Sequence, residues 1–204
     1  RLAPDLSLLW RRIGSRQVRA AGTVGGNVAN GSPIGDAPPA LIALGATLDL
    51  RRGDTERSLA VEDFFLGYGR QDRAPGEIVT RIVVPRPGVG EAFRAYKISK
   101  RFDQDISAVM MAVKLGLDGG RIATARLAFG GMAATPKRAA ATEAALVGLD
   151  VADTAATGRL AATLAEDFSP IDDMRASAAY RLDVAHGLLV KALAEVAGTP
   201  TAET

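Results

Sequence analysis

An α+β fold is predicted, with antiparallel strands preceding helices. Three observations carry this reading. Ala92 to Lys97, Ile106 to Leu117 and Arg121 to Phe129 read as strands, the last two joined by the hairpin turn Asp118-Gly119-Gly120. Beyond Gly130-Gly131 the chain becomes rich in Ala and Leu, with helical stretches at Glu143 to Val147, Ala155 to Glu166 and Ser177 to Val196. A Pro/Gly cluster, Pro85-Arg86-Pro87-Gly88-Val89-Gly90, separates these from an earlier unit that ends in its own β-branched run, Val79 to Pro85.

Within that earlier unit, Leu6, Leu8, Leu9, Trp10 and Ile13 are spaced for a short amphipathic helix, with Asp5 as its N-cap. A small-residue loop from Ala20 to Pro33 follows and leads through Asp36 into a helix opened by Pro38-Pro39 and ended at Gly45. Ala46 to Arg51 alternates as a strand, and Gly53-Asp54 turns it. Gly198 to Thr204 reads as a loose tail.

Composition narrows the function. The chain has 204 residues, 48% hydrophobic and 24% charged, enough to bury a core in one large or two small domains. The net charge is +2 and aromatics are 5%; the basic residues fall in two clusters, Arg11 to Arg19 and Lys97 to Arg101, not in a stripe interleaved with aromatics, so a nucleic-acid partner is not expected. With no cysteine, the chain itself supplies no disulfide, thiolate nucleophile, iron–sulfur ligand or cysteine zinc site, which fits a reducing cytoplasm. No apolar run approaches the roughly 20 residues of a membrane span. The opening Arg1-Leu2-Ala3-Pro4-Asp5 has neither an initiator Met nor a signal stretch, and reads as cut from something longer.

The segment from Gly22 to Asp36 carries the most chemistry. Gly22, Gly25, Gly26 and Gly31 are expected to free the backbone for positive φ and for close approach to a ligand. Successive N–H groups could converge on an anion, with Thr23, Asn27, Asn30 and Ser32 as neutral partners. Such a donor set suits a diphosphate, and Asp36 could accept from a sugar or ribityl hydroxyl. The pattern is neither a phosphate-binding P-loop nor a Rossmann fingerprint. The residues alone leave two readings open: a diphosphate cradle, or a tight turn packing helix on strand.

The motif Gly22-Thr23-Val24-Gly25-Gly26-Asn27-Val28-Ala29-Asn30-Gly31-Ser32-Pro33-Ile34-Gly35-Asp36 resembles the second FAD motif of the molybdenum hydroxylase flavoproteins, and Gly-Gly-Asn followed by Ser-Pro-Ile-Gly-Asp is similar to their xanthine dehydrogenase branch. The blocks Phe93 to Ser107, Phe129 to Ala133 and Asp173 to Arg181 agree, in family order and across nearly the whole chain. The resemblance implies that residues 1–87 are the C-terminal lobe of a vanillyl-alcohol-oxidase-type FAD-binding fold and 91–197 the family's C-terminal α+β domain, with 198–204 as tail. It implies an upstream flavin lobe and iron–sulfur domain, and a large molybdopterin-binding subunit in a hetero-oligomer with two copies of each subunit. Electrons from molybdenum and 2Fe-2S centres on those parts would pass through FAD to NAD while hypoxanthine or xanthine becomes urate. Aldehyde, carbon monoxide or aromatic acyl-CoA oxidation is the alternative.

Carried over residue by residue, Thr23, Val24, Gly25, Gly26 and Asn27 should line the FAD diphosphate, with Ser32 beside them. Asp36 should meet the cofactor's hydroxyls, or else cap the helix that follows. Ile13 takes the place of an aromatic under the adenine, Val79 touches the flavin, and Lys97 sits by it, where a cation suits reduced flavin and diphosphate alike. Trp10 could replace the missing aromatic. The Lys100 to Asp105 loop should approach the flavin edge, with Gln104 interrupting the family's more acidic run. His186, the single histidine, reads as a helix residue, and Asp172, Asp173, Arg175, Tyr180 and Arg181 read as structural. No residue of this chain is expected to act as acid, base, nucleophile or metal ligand.

Overall fold

The computed structural model describes residues 4–198. Three short helices come first: α1 (Pro4–Arg12), α2 (Arg16–Ala21) and α3 (Val24–Ala29). The Ala20 to Pro33 segment is therefore not the expected loop. Ser15 caps α2, its Oγ accepting from the Val18 N–H, and Thr23 caps α3, its Oγ1 accepting from the Gly26 N–H at 2.9 Å. Glycine's poor helix propensity hid a helix that its cap makes possible. Asp5 lies within the first turn of α1 instead of capping it, and its carboxylate accepts from the Ala95 N–H at 3.2 Å.

α4 (Ala37–Leu44) is buried along its whole length and ends at Gly45, whose φ of +74° suits a helix C-terminus that only glycine closes without strain. β1 (Thr47–Arg52) pairs antiparallel with β2 (Thr55–Ala60) on one side and with β5 (Ile78–Val83) on the other. A 3-10 turn, Val61–Phe64, and a small hairpin, β3 (Phe65–Gly67) with β4 (Arg70–Gln71), fill the crossing between them. Neither was foreseen, since both are too short for periodicity to register.

The second sheet is an antiparallel meander of β6 (Glu91–Ile98), β7 (Val109–Asp118), β8 (Arg121–Gly130) and β9 (Lys137–Arg138). Its three long strands sit where alternation predicts them, except that β7 begins at Val109, not Ile106; the two-residue β9 was not foreseen. Residues 99–107 are a loop instead, in which Asp105 accepts from the Arg101 N–H and Gln104 has φ +54°. After the sheet come α5 (Ala140–Leu146), α6 (Thr154–Gly158), α7 (Leu160–Asp167) and α8 (Ala178–Val196). The expected helix from Ala155 to Glu166 breaks at Gly158-Arg159. Most of the expected tail, 199–204, lies outside the described residues.

The meander is buried on both faces, and the strand period sorts its side chains. Val109, Met111, Val113 and Leu115 join Leu127 and Phe129 in a core closed by α5, α7 and α8. Met110, Ala112 and Ala128 point the other way, into a second core with α4, Leu48, Leu50 and Phe93. The chain passes from the first sheet to the second at residues 84–90, yet this second core draws side chains from both sides of that crossing.

Candidate functional site

The first turn of α3 stands between two clefts. One, of about 450 Å³, is lined by Trp10, Ile13, Arg19, Thr23, Gly26 and Asn27 among others; the second, of about 470 Å³, has Val24, Gly25 and Val79 in its wall, and Trp10, Thr23 and Val24 line both. Of the four glycines expected at positive φ, only Gly31 uses it, at +63°. Gly25 and Gly26 matter for space instead. A Cβ on Gly25 would lie 3.4 Å from Val79 Cγ1, so α3 rides closely on β5, and a Cβ on Gly26 would lie 3.0 Å from Thr23 Oγ1.

The donor set is largely uncharged. The Val24 and Gly25 N–H groups belong to a first helical turn, where the helix provides no acceptor. Asn27 Oδ1 is buried without a partner among the described residues. An orphaned polar atom beside a glycine-walled cleft suits a ligand that brings its own hydroxyls and phosphates, and in this respect the residues fit a dinucleotide such as FAD. Ile13 offers the cleft an aliphatic surface and Trp10 an aromatic one. Arg19 was missed as a site residue, although the basic cluster at the start of the sequence contains it. It is the charged side chain among the described residues lining the first cleft, and its Nη1 donates to the carbonyls of Ile13 at 3.1 Å and Gly14 at 2.6 Å.

Asp36, Lys97 and Ser32 do not line either cleft. Asp36 and Lys97 form a buried ion pair, Nζ to Oδ2 at 2.5 Å, each residue only 6% exposed. Ser107, 1% exposed, donates to the other carboxylate oxygen at 2.5 Å. Asp36 holds the N-cap position of α4 but makes no capping bond. An N-cap side chain bonds the N–H of the second or third helical residue, and here those are Pro38 and Pro39, which have none. The prolines thus turn a capping carboxylate into an acceptor for Lys97 and Ser107. Ser32 is occupied locally, its Oγ accepting from the Ile34 N–H at 3.3 Å. Ser107 was also missed; the signal was a lone hydroxyl at the head of the apolar run Ala108 to Val113.

The loop after Lys97 is gripped from both sides. Arg12, at the end of α1, donates to the carbonyls of Lys97 and Phe102, both at 3.1 Å, and lies 4.7 Å from the Phe102 ring centroid. Lys100 Nζ reaches the Met174 carbonyl at 2.7 Å. Hydrogen bonds from the Arg101 N–H and side chain hold the Asp105 carboxyl below its ordinary range, so the loop keeps a fixed negative charge beside Lys100 and Arg101. His186 lies in α8, away from both clefts. No helix among the described residues is long and apolar enough to cross a membrane.

Residues 1–87 match the family described as the FAD binding domain in molybdopterin dehydrogenase, and residues 94–196 match the CO dehydrogenase flavoprotein C-terminal domain. The chain is 36% identical over 188 residues to the glyceraldehyde dehydrogenase medium chain of Sulfolobus acidocaldarius, covering 92% of this chain and 66% of that one. It is 35% identical over 161 residues to the xanthine dehydrogenase of Emericella nidulans, covering 78% of this chain and 12% of the relative. A chain of reconstituted CO dehydrogenase from Oligotropha carboxidovorans superposes with a TM-score of 0.86 at 31% identity, over 96% of this chain and 67% of that one. The chain therefore spans about two thirds of the separate medium-chain relative and a small part of the xanthine dehydrogenase.

Proposed function

The chain belongs to the molybdenum hydroxylase flavoprotein family, and on that premise we propose that it holds FAD against the first turn of α3, as one part of a larger molybdenum-dependent oxidoreductase. The observation that carries this reading is the buried Asn27 Oδ1, without a partner among the described residues, beside Gly26 in the cleft that Ile13 and Trp10 also line. Thr23, Val24, Gly25, Gly26 and Asn27 are the diphosphate contacts in this reading, Ile13 and Trp10 the adenine side, and Val79 the wall toward the flavin, with Ser32 next to the cradle. Residues 1–87 act as the FAD-binding lobe and 91–197 as the companion domain.

Bound FAD would supply the junction between one-electron and two-electron transfer. The chain's own part is to bind, orient and tune it. Asp36 and Lys97 neutralise each other outside both clefts, so neither adds a bare cation, and the 99–107 loop offers mixed charge at the flavin edge. That balance supports NAD as the acceptor. The partners in this reading are an iron–sulfur domain and a large molybdopterin-binding subunit, two copies of each in the assembly.

Two substrate readings rest on different observations. The Gly25-Gly26-Asn27 and Ser32 to Asp36 pattern supports oxidation of hypoxanthine and xanthine to urate. The wider match to a separate medium chain supports an aldehyde or carbon monoxide instead. The full protein, purified with its partners, should carry a visible flavin band and reduce NAD with one of these substrates. Absence of bound flavin would overturn the proposal. Turnover of an aldehyde or carbon monoxide without xanthine would decide for the second substrate reading.

A further inference from the structure

Arg181, near the start of α8, is buried in a way that packing alone does not require. It is 1% exposed. Its Nη1 donates to the Ala108 carbonyl and, at 2.8 Å, to the Gly131 carbonyl, while Nη2 donates to Asp173 Oδ1 at 2.7 Å. Its Nε has no partner among the described residues. A guanidinium buried against one carboxylate and two neutral carbonyls carries a large desolvation penalty, and an apolar side chain of similar volume would avoid it. A planar fork does what an apolar chain cannot: Nη1 joins two separate backbone segments while Nη2 is fixed on Asp173.

Both segments lead to Asp36. Ala108 follows Ser107, whose hydroxyl donates to Asp36 Oδ1. Gly131 donates its N–H to the Pro33 carbonyl at 2.8 Å, in the turn that enters Asp36. There is no slack between them: Gly131 has φ +83°, and a Cβ there would fall 2.3 Å from the Ala108 carbonyl oxygen and 3.0 Å from Arg181 Nη1. Asp173 anchors the guanidinium in turn. Burial works against its ionisation, but the N–H groups of Arg175 and Ala176 and the Arg181 side chain outweigh it and hold the carboxyl at about 2. The same loop receives Lys100 through Met174.

We infer that Arg181 is a positioning residue for the cofactor site: acting through Ser107 and through Gly131 and Pro33, it sets the placement of the buried Asp36–Lys97 pair, and Ala37, the next residue after Asp36, lines the first cleft. The inference rests on the flavin-binding reading. The test compares four proteins, each full length and assembled with its partners: R181K, S107A, the double variant, and R138K. Lysine keeps the charge but has a single nitrogen, which cannot meet both carbonyls and Asp173 in the fixed geometry of the guanidinium. Arg138, on β9, pairs with Glu62 and Glu143, so R138K controls for replacing a partly buried, forked guanidinium by an ammonium elsewhere. Three quantities are read: FAD retained after dialysis, flavin midpoint potential, and melting temperature.

R181K and S107A should each weaken FAD retention about tenfold and move the potential in the same direction, as loss of an outer-shell support does. The double variant should fall short of the sum of the two, because they share a path. R138K should lower the melting temperature alone. If R181K behaves like R138K, with flavin retention and potential at parent values, Arg181 is only a staple and the inference is wrong. Additive effects in the double variant would also overturn the route through Ser107. Should R181K not fold, D173N, which removes only the countercharge, carries the same expectations. A parent protein without flavin would show that the flavin-binding reading has failed, a result distinct from any of these.

Discussion

Gly26 shows how one residue can serve a site without using glycine's conformational freedom. Its φ is not positive, so what it contributes is the absence of a side chain next to the Thr23 cap. In Gly26→Val, Cβ and two methyl groups press on Thr23 Oγ1 and fill the cleft that Asn27 and Ile13 share. The cap bond is worth about 1 kcal/mol, too little to unfold the protein. The full-length variant should therefore fold and lose its FAD, read as the ratio of flavin absorbance to protein. A folded variant with stoichiometric FAD would remove Gly26 from the site. Pro38 and Pro39 act on the same scale, by leaving Asp36 no N–H to cap.

Among the elements, β2 is tied to the turn before β5 by charge. Arg57 Nε and Nη2 donate to the two oxygens of Glu77 at 2.8 and 2.9 Å, and Arg57 Nη1 reaches Asp72 at 3.0 Å. The Arg57 hydrogen bonds, and after them the Ala74 N–H, pull the Glu77 carboxyl from its ordinary 4.5 to about 2. A carboxyl depressed in the folded state stabilises fully above its unfolded value and ceases to do so as pH falls through its folded value. The melting temperature should thus drop between about pH 4.5 and pH 2. Glu77→Gln should lower it at pH 7 and flatten the fall across that window. Identical acid profiles for parent and variant would mean that Glu77 ties nothing. Local pattern made the longer elements legible: alternation reveals β6 to β8, and the apolar spacing of Ser177 to Val196 reveals α8, whose cap the structure shows to be Ser177, its Oγ accepting from the Tyr180 N–H. α3 was not legible, because its stability lies in Thr23 and in packing on Val79.

For the molecule as a whole, α4 is the link between the two sheets. Leu41, Ile42 and Leu44 are 1% exposed and share a core with Leu48 and Leu50 on one side and Met110 and Ala112 on the other. Arg126 of β8 adds hydrogen bonds to the Ile42 carbonyl at 2.9 and 3.2 Å and pairs with Glu62. Truncating Ile42 to Ala should cost about 2–5 kcal/mol, as for other buried aliphatics. Because the core is shared, both sheets should lose protection together in hydrogen exchange, in a single thermal transition. Two transitions, with only the earlier one shifted by Ile42→Ala, would show that the halves fold independently and that the crossing at 84–90 divides them.

Sequence alone determined what depends on near neighbours: the strands and long helix, the glycine-rich motif with its Asn27, and the family that these blocks signal. It also singled out Asp36 and Lys97 as cofactor contacts and Arg181 as structural, without naming the partner each has in the fold. Tertiary structure decided that Lys97 faces Asp36, 61 residues away, and that Arg181 faces Ala108, 73 residues away. Periodicity reports which side of an element is buried, but a buried charge is settled by which partner the fold brings within about 3 Å, and that depends on how α4, the meander and α8 pack together.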